Sequence, residues 1–352
     1  MELPWQPIYT IERSGQPEVT VYGIISVVSG PSQLLSLGEI DYGLWTRSLL
    51  KPWQLLSHYC ELTNSYPELT DEHLALMMAS HSAEEHHLEL LNEIMEIGVV
   101  SDALLKCPPS YPIDKRAKMR EQGQKPKSLY HNCSGKHFGY ILALKALGLS
   151  AQDYLNPESE QFVILKKILS HLLGRPAESF AETTDGCQLP NYALSSREMS
   201  RLYQMLANPE YARQNRRELG DSSADRNLAC FSHLGELMRT YPQVIAGADR
   251  FDAKLMSHQL AGTETLEIVA KEGADGLLGI GIGACTELPE GAGILIKTSA
   301  GYDARHMEAI TREIFRQLGI VAPVVATDKA SKVRTDHIVS KFHFELPIKQ
   351  RA

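Results

Sequence analysis

The hydrophobic period of this chain changes twice, and that double change limits the possible folds more than any other feature. Val19 to Val28 is rich in β-branched residues and is closed by Ser29-Gly30-Pro31-Ser32. Leu34 to Tyr42 is a second short run able to pair with it as a hairpin. From Pro52 to about Ser257 the period becomes helical, with Trp53, Leu56, Tyr59, Cys60 and Leu62 on one stripe and Leu74, Met77 and Met78 on the next. The strongest helical signal is Gly135 to Leu147; others cover Glu160 to Leu173, Ser196 to Leu206 and Leu228 to Arg239. Strand signals then return over Thr265 to Ala270, Gly276 to Ala284 and Gly291 to Thr298. An amphipathic helix, Asp303 to Leu318, follows, and Lys341 to Leu346 alternates like an edge strand. The pattern predicts an α+β fold: an antiparallel sheet built from N- and C-terminal strands, with a large helical insert. The expected sheet subdomain is 1–50 with 258–352, and the helical subdomain is 51–257. Alternating βαβ units are absent, which argues against a doubly wound parallel sheet.

Composition removes several function classes. The 43 acidic residues exceed the 35 basic ones, giving −8, so nucleic acid is not an expected partner. No apolar run approaches the roughly 18 residues needed to span a bilayer, so no membrane association is expected. The first residues, Met1-Glu2-Leu3-Pro4-Trp5, lack the basic start and apolar stretch of a signal peptide. Six cysteines in 352 residues are too sparse for a disulfide scaffold, and a reduced cytoplasmic protein is the expectation.

Ser48-Leu49-Leu50-Lys51 is an S-x-x-K, a pattern that chance supplies about once in a chain of this composition. Its context adds weight. The ring of Pro52 would clash with the carbonyl four residues earlier inside a helix, which pins the helix start near Ser48. Ser48 then sits at a helix N-terminus with Lys51 one turn along, on the same face. A neutral lysine amine there can take the serine proton; the plain alternative is an N-capping serine beside a solvated lysine. Serine β-lactamases and transpeptidases use S-x-x-K, S-D-N and K-T-G in chain order. Here Ser80-His81-Ser82 follows on a segment expected to be helical, and Lys271-Glu272-Gly273 closes a late strand, so the layout is analogous although neither fragment is identical.

His131-Asn132-Cys133-Ser134-Gly135-Lys136-His137 directly precedes the strongest helix, and Asp185-Gly186-Cys187 lies about 50 residues on. Two thiolates plus a histidine can hold zinc, yet no C-x-x-C pair is present. Buried packing cysteines, or Cys133 as a nucleophile, remain open on spacing alone. His81, His86 and His87 read as a solvated helix start. Gly279-Ile280-Gly281-Ile282-Gly283-Ala284 matches G-x-G-x-x-A but has no helix after it, so a dinucleotide site is rejected. Cys60, Cys107, Cys230 and Cys285 read as packing residues.

Taken together, the strings around Cys133, Cys187 and Ser48 resemble the thermolabile, rhizobial-type L-asparaginases, from about Val19 to Phe344. That resemblance implies hydrolysis of L-asparagine to L-aspartate and ammonia, a serine β-lactamase/glutaminase-like fold and a homodimer. It implies two serine–lysine pairs, Ser48 with Lys51 and Ser80 with Lys271. It also implies zinc on Cys133, Lys136 and Cys187, and substrate contacts from His137 and Asp185. Gln188 departs from the family, which has a small residue there, and Asp252 replaces a cysteine of some relatives. The expected mechanism is acyl transfer: Ser48 attacks the side-chain amide, Lys51 is general base, and Ser80 with Lys271 assists proton transfer. Asp185 is expected to meet the substrate's amino group and Arg47 its carboxylate. The rival readings are a β-lactam-recognising or other amide hydrolase on the same serine and lysines, and a non-catalytic zinc-binding scaffold or sensor.

Overall fold

Residues 3–112, 115–214, 222–321 and 338–346 are described by the structure, a computed structural model. Their strands, in chain order, are β1 (Gln6–Arg13), β2 (Gln16–Ser29), β3 (Ser32–Leu37), β4 (Gly43–Trp45), β5 (Glu182–Thr184), β6 (Pro190–Ser195), β7 (Ile268–Gly273), β8 (Leu277–Ile282), β9 (Ala292–Thr298) and β10 (Ile338–Phe342). The chain divides into two units: Met1–Leu44 with Leu194–Asn208 and His258–Ala352, and Trp45–Ala193 with Pro209–Ser257.

The first unit is a seven-stranded sheet in the order β10-β1-β2-β9-β8-β7, with β3 also paired to β2. Its pairings are antiparallel and join N-terminal to C-terminal strands, Gly23 standing opposite Thr298 in β2–β9. The α+β class and the split sheet are therefore as the sequence predicts. Ile24 to Val28 of β2 and most of β7, β8 and β9 are buried on both faces. That is why these strands read as continuous apolar runs instead of alternating ones.

The unit boundaries differ from the expected ones at two places. Helix Ser196–Ala207, expected in the helical block, belongs to the sheet unit. It starts on a capping box: the Ser195 hydroxyl accepts from the Glu198 N–H at 3.1 Å, and the Glu198 carboxylate accepts from the Ser195 N–H at 2.7 Å. Its docking depends on glycines of the strands beneath. Gly281 and Gly293 face each other across β8–β9; a Cβ on them would lie 2.1 Å from the Tyr203 carbonyl oxygen and 1.8 Å from that of Ser200. Only bare backbone lets the helix lie this close. The glycine run that mimics a dinucleotide motif is thus a packing groove. Helix Ala304–Gln317 buries Met307, Ile310, Ile314 and Phe315, and its His306 Nδ1 lies 2.5 Å from the Tyr9 hydroxyl of β1.

The second difference is that Arg47 and Ser48 fall in the helical unit, not in a sheet subdomain reaching residue 50. That unit is organised around helix Ser134–Ala146, buried on every side from Ser134 to Leu144. Its polar first turn, with Ser134, Lys136 and His137, is enclosed along with the apolar Phe138 to Leu144. Helices Tyr59–Ser65, Asp71–Met77 and Glu85–Gly98 pack against it. Gly135 permits the closest approach, since a Cβ there would lie 2.4 Å from the Leu76 carbonyl oxygen. Among the described residues no helix is long and apolar enough to cross a membrane.

Candidate active site

Ser48 lies half-buried on the 3₁₀ turn Arg47–Leu50, which runs into helix Lys51–Leu56 with Pro52 in its first turn. The Lys51 N–H donates to the Ser48 carbonyl oxygen. In a 3₁₀ turn side chains three apart eclipse one another, so Ser48 and Lys51 share a face, as the spacing predicts. Arg47 has a left-handed backbone, φ 50°, which costs a non-glycine residue on the order of 1 kcal/mol and persists only where neighbours hold it. The neighbour is Asn191 on β6. Its side-chain oxygen accepts from the Arg47 N–H at 3.2 Å, and its amide donates to the Arg47 carbonyl oxygen at 3.3 Å. Thr46 adds a 2.9 Å bond to the Tyr192 carbonyl. No sequence pattern points to Asn191; only its nearness to Asp185-Gly186-Cys187 is suggestive.

Lys51 is fully buried. Its Nζ donates to the Ala79 carbonyl oxygen at 2.5 Å, to Ser80 Oγ at 2.9 Å and to the Asn132 carbonyl oxygen at 3.3 Å. Lys51 is thus joined directly to Ser80. Ser80 and His81 lie not on a helix, as the sequence predicts, but in the connection before helix Glu85–Gly98. The cause is local: Ala83 takes φ 57°, and its N–H donates to His81 Nδ1 at 3.2 Å. His81 and His87 are buried, not solvated. His81 Nε2 lies 2.9 Å from Ser134 Oγ, which donates to the Leu129 carbonyl, and burial holds His81 well below the usual histidine range. His87 caps its helix by accepting from the Glu84 N–H at 3.1 Å. Only His86 is exposed, 2.7 Å from a Glu72 carboxylate oxygen.

Cys133 caps the core helix, Lys136 is one turn in, and Cys187 follows β5. All three are buried and meet: Lys136 Nζ donates to Cys187 Sγ at 3.3 Å, and the two cysteine sulfurs are hydrogen-bonded to each other. The Cys187 thiol, then the Lys51 and Lys136 charges, hold the Cys133 thiol well below its ordinary range. The Cys187 thiol is pushed up by its bond to Cys133 and by burial. Burial opposes charge on Lys136, but Cys187, Cys133 and Asp185 outweigh it and raise the amine. Among the described residues no three His, Cys, Asp or Glu side chains are grouped to hold a metal ion. Two sulfurs and an amine nevertheless fit tetrahedral zinc, whose bond lengths put S and N ligands roughly 3.5 Å apart, close to the 3.3 Å observed. Coordination requires Cys187 and Lys136 to lose their protons.

Arg47 Nε donates to Asp185 Oδ1 at 2.8 Å, so the two residues expected to bind opposite ends of an amino acid meet as a pair. The turn after Asp185 closes through Gln188, whose N–H donates to the Asp185 carbonyl at 2.8 Å and whose φ is 74°. That left-handed backbone explains why a small residue is expected there. His137 Nδ1 lies 2.8 Å from the Tyr154 hydroxyl, while its Nε2 is buried without a hydrogen-bond partner among the described residues. Lys271 belongs to the other unit, fully buried on β7 opposite Gly279.

The profile of the family described as L-asparaginase II matches residues 9–342. No curated protein matches the sequence. Among solved structures, a Bacillus glutaminase in 4.3 M NaCl aligns with TM-score 0.38 and 14% identity over 85% of this chain and 92% of that one. A probable glutaminase from Bacillus subtilis complexed with 6-diazo-5-oxo-L-norleucine gives TM-score 0.38 and 13% identity over 85% of each chain. Likeness at this level says nothing about chemistry.

Proposed function

Since the chain belongs to the L-asparaginase II family, we propose that it hydrolyses the side-chain amide of L-asparagine to L-aspartate and ammonia through a serine acyl-enzyme. The observation that carries the chemistry is the buried Lys51 amine 2.9 Å from Ser80 Oγ, on a helix that begins three residues after Ser48. Once the charged amine has lost a proton, the Ala79 and Asn132 carbonyls can take its two remaining hydrogens, which would leave its lone pair for the Ser80 hydroxyl.

Ser48 Oγ attacks the amide carbon and its proton passes to Lys51, directly or through Ser80. The tetrahedral oxyanion collapses, the leaving nitrogen takes that proton, and ammonia departs from an aspartyl ester. Water attacks the ester with the same lysine as base, and Ser48 is regenerated. Backbone N–H groups beside Ser48 serve the oxyanion, each worth on the order of 3 kcal/mol of barrier. The Arg47–Asp185 pair supports selection of a zwitterion: Asp185 turns to the α-ammonium and Arg47 to the α-carboxylate, each exchanging one charged partner for another. His137 offers its buried Nε2 to the substrate. Assembly as a homodimer completes the proposal on the family resemblance alone.

Zinc would be held by Cys133, Lys136 and Cys187. When bound it supplies a fixed positive charge that anchors the start of the core helix to the turn bearing Asp185. Proton transfer stays with the serines and lysine.

The Lys51–Ser80 contact also favours a second reading, in which Ser80 is the nucleophile. One experiment separates them. Ammonia release from asparagine and glutamine is measured for the wild-type protein with and without a chelator, and for Ser48→Ala and Ser80→Ala. An asparagine-shaped diazoketone then marks the nucleophile by peptide mapping. Label on Ser48 and no turnover in Ser48→Ala support the proposal; label on Ser80 transfers the role. No ammonia from either amide refutes both.

A further inference from the structure

Two cysteines 170 residues apart in sequence stand together in the helical unit. Cys60, on helix Tyr59–Ser65, and Cys230 have sulfurs 4.0 Å apart, and both are half-buried. Neither is a packing cysteine of the kind expected, since each keeps access to solvent. Cys230 joins helix Ser222–Ala229 to the ten-residue helix Phe231–Thr240, and its Sγ donates to the Arg226 carbonyl oxygen at 3.8 Å. One turn into the second helix, His233 lies 3.1 Å from an Asp71 carboxylate oxygen and 3.3 Å from one of Glu236. Asn227 ties the second cysteine to the same place: its side-chain oxygen accepts from the Cys60 N–H at 2.8 Å, and its amide donates to the Ser57 carbonyl.

We propose that Cys230 is a peroxide-reactive thiol and Cys60 its resolving partner, the two closing reversibly into a disulfide between helices Tyr59–Ser65 and Phe231–Thr240. The asymmetry follows from the surroundings. Cys230 is pulled down to about 7, first by the hydrogen bond from Cys60 and further by His233. Cys60 is pushed up by that same bond, by burial and by Glu61, with Arg226 only partly opposing. Tyr59 and the Asp71 and Glu236 carboxylates are further charged and titratable neighbours among the described residues.

In the first step the Cys230 thiolate attacks one oxygen of a hydroperoxide. An S–O bond forms, the O–O bond breaks, and the leaving oxygen is protonated to water or an alcohol. In the second the Cys60 sulfur attacks the sulfenic sulfur; S–S forms, S–O breaks, and water leaves with the Cys60 proton. The sulfurs must approach by about 2 Å to reach disulfide bonding distance.

The test uses the full chain and hydrogen peroxide, and reads neither turnover nor metal. After peroxide treatment and alkylation, peptide mapping is expected to give a Cys60–Cys230 cross-link, lost on adding dithiothreitol. Cys60→Ser is expected to leave a sulfenic acid on Cys230 that dimedone captures, and Cys230→Ser to form no cross-link from Cys60. At neutral pH iodoacetamide is expected to label Cys230 at least tenfold faster than Cys285. The proposal is overturned if peroxide links another pair only, if Cys230→Ser loses thiols at the wild-type rate, or if Cys230 reacts no faster than Cys285. Should a serine variant fail to fold, the wild-type peptide map and labelling rates decide the question by themselves.

Discussion

Replacing Ser80 by alanine separates chemistry from stability. The side chain is buried, and its Oγ meets Lys51 Nζ at 2.9 Å. Its backbone contact is untouched by the substitution: the Ser80 N–H donates to the Ile245 carbonyl at 2.8 Å. Lys51 keeps the Ala79 and Asn132 carbonyls as partners. Losing one such hydrogen bond costs about 1 kcal/mol. For a chain of this size that lowers the melting temperature by roughly 2–4 °C at most. A stability of about 5–15 kcal/mol leaves the variant folded at 25 °C. Loss of a group in the proton relay costs about 10²- to 10⁴-fold in turnover, or roughly 3–5 kcal/mol of barrier. The kinetic effect should therefore exceed the stability effect several times over. Coupled ammonia release and a thermal melt on one preparation measure both. A variant that keeps more than a tenth of wild-type turnover refutes a role for Ser80 in the relay. Activity lost in step with a melting temperature lowered by ten degrees or more would make Ser80 a structural residue.

Asp185→Asn and Arg47→Leu are each expected to raise KM for asparagine at least tenfold, since each removes one half of the zwitterion clamp; an unchanged KM in both would refute that clamp. Elemental analysis is expected to find one zinc per chain in the wild-type protein and markedly less in Cys187→Ser, and equal content in the two would remove Cys187 from the ligand set. Gly281→Ala, whose new Cβ would collide with the Tyr203 carbonyl oxygen at 2.1 Å, is expected to cost about 1–3 kcal/mol through forced separation of helix and sheet. Urea unfolding with an unchanged midpoint would show that the helix does not rest on that glycine.

The architecture was legible where burial left a clear period. Strands enclosed on both faces, such as Ile24 to Val28 and Ala292 to Thr298, announce themselves as apolar runs, and the helix at Ser134 is unmistakable. β1 was not foreseen, because Gln6–Arg13 mixes Pro7 and charged residues into a strand half open to solvent. The allegiance of helix Ser196–Ala207 was hidden for another reason: it depends on glycines at 281 and 293, which a local period cannot connect to it. At the site, the spacing of Ser48, Lys51 and Pro52 foretold a shared face, yet only three dimensions joined Lys51 to Ser80. The two buried histidines, 81 and 87, were misread because adjacent glutamates and His86 gave the segment a polar look.

The register of β2 against β9, Gly23 opposite Thr298, has a consequence for how the molecule comes into being. The centre of the sheet cannot zip until most of the polypeptide has been synthesised, and closing so long a loop is entropically slow. Helix Ser134–Ala146 and its neighbours, contributed by nearby stretches of sequence, are free to gather first. Pulse-labelled refolding should protect amides of that helix before those of β8 and β9, and the reverse order would contradict this sequence of events. Until β9 arrives, the buried edge of β2 is an open seam, and a chain halted before residue 292 is the form most exposed to pairing with the wrong partner.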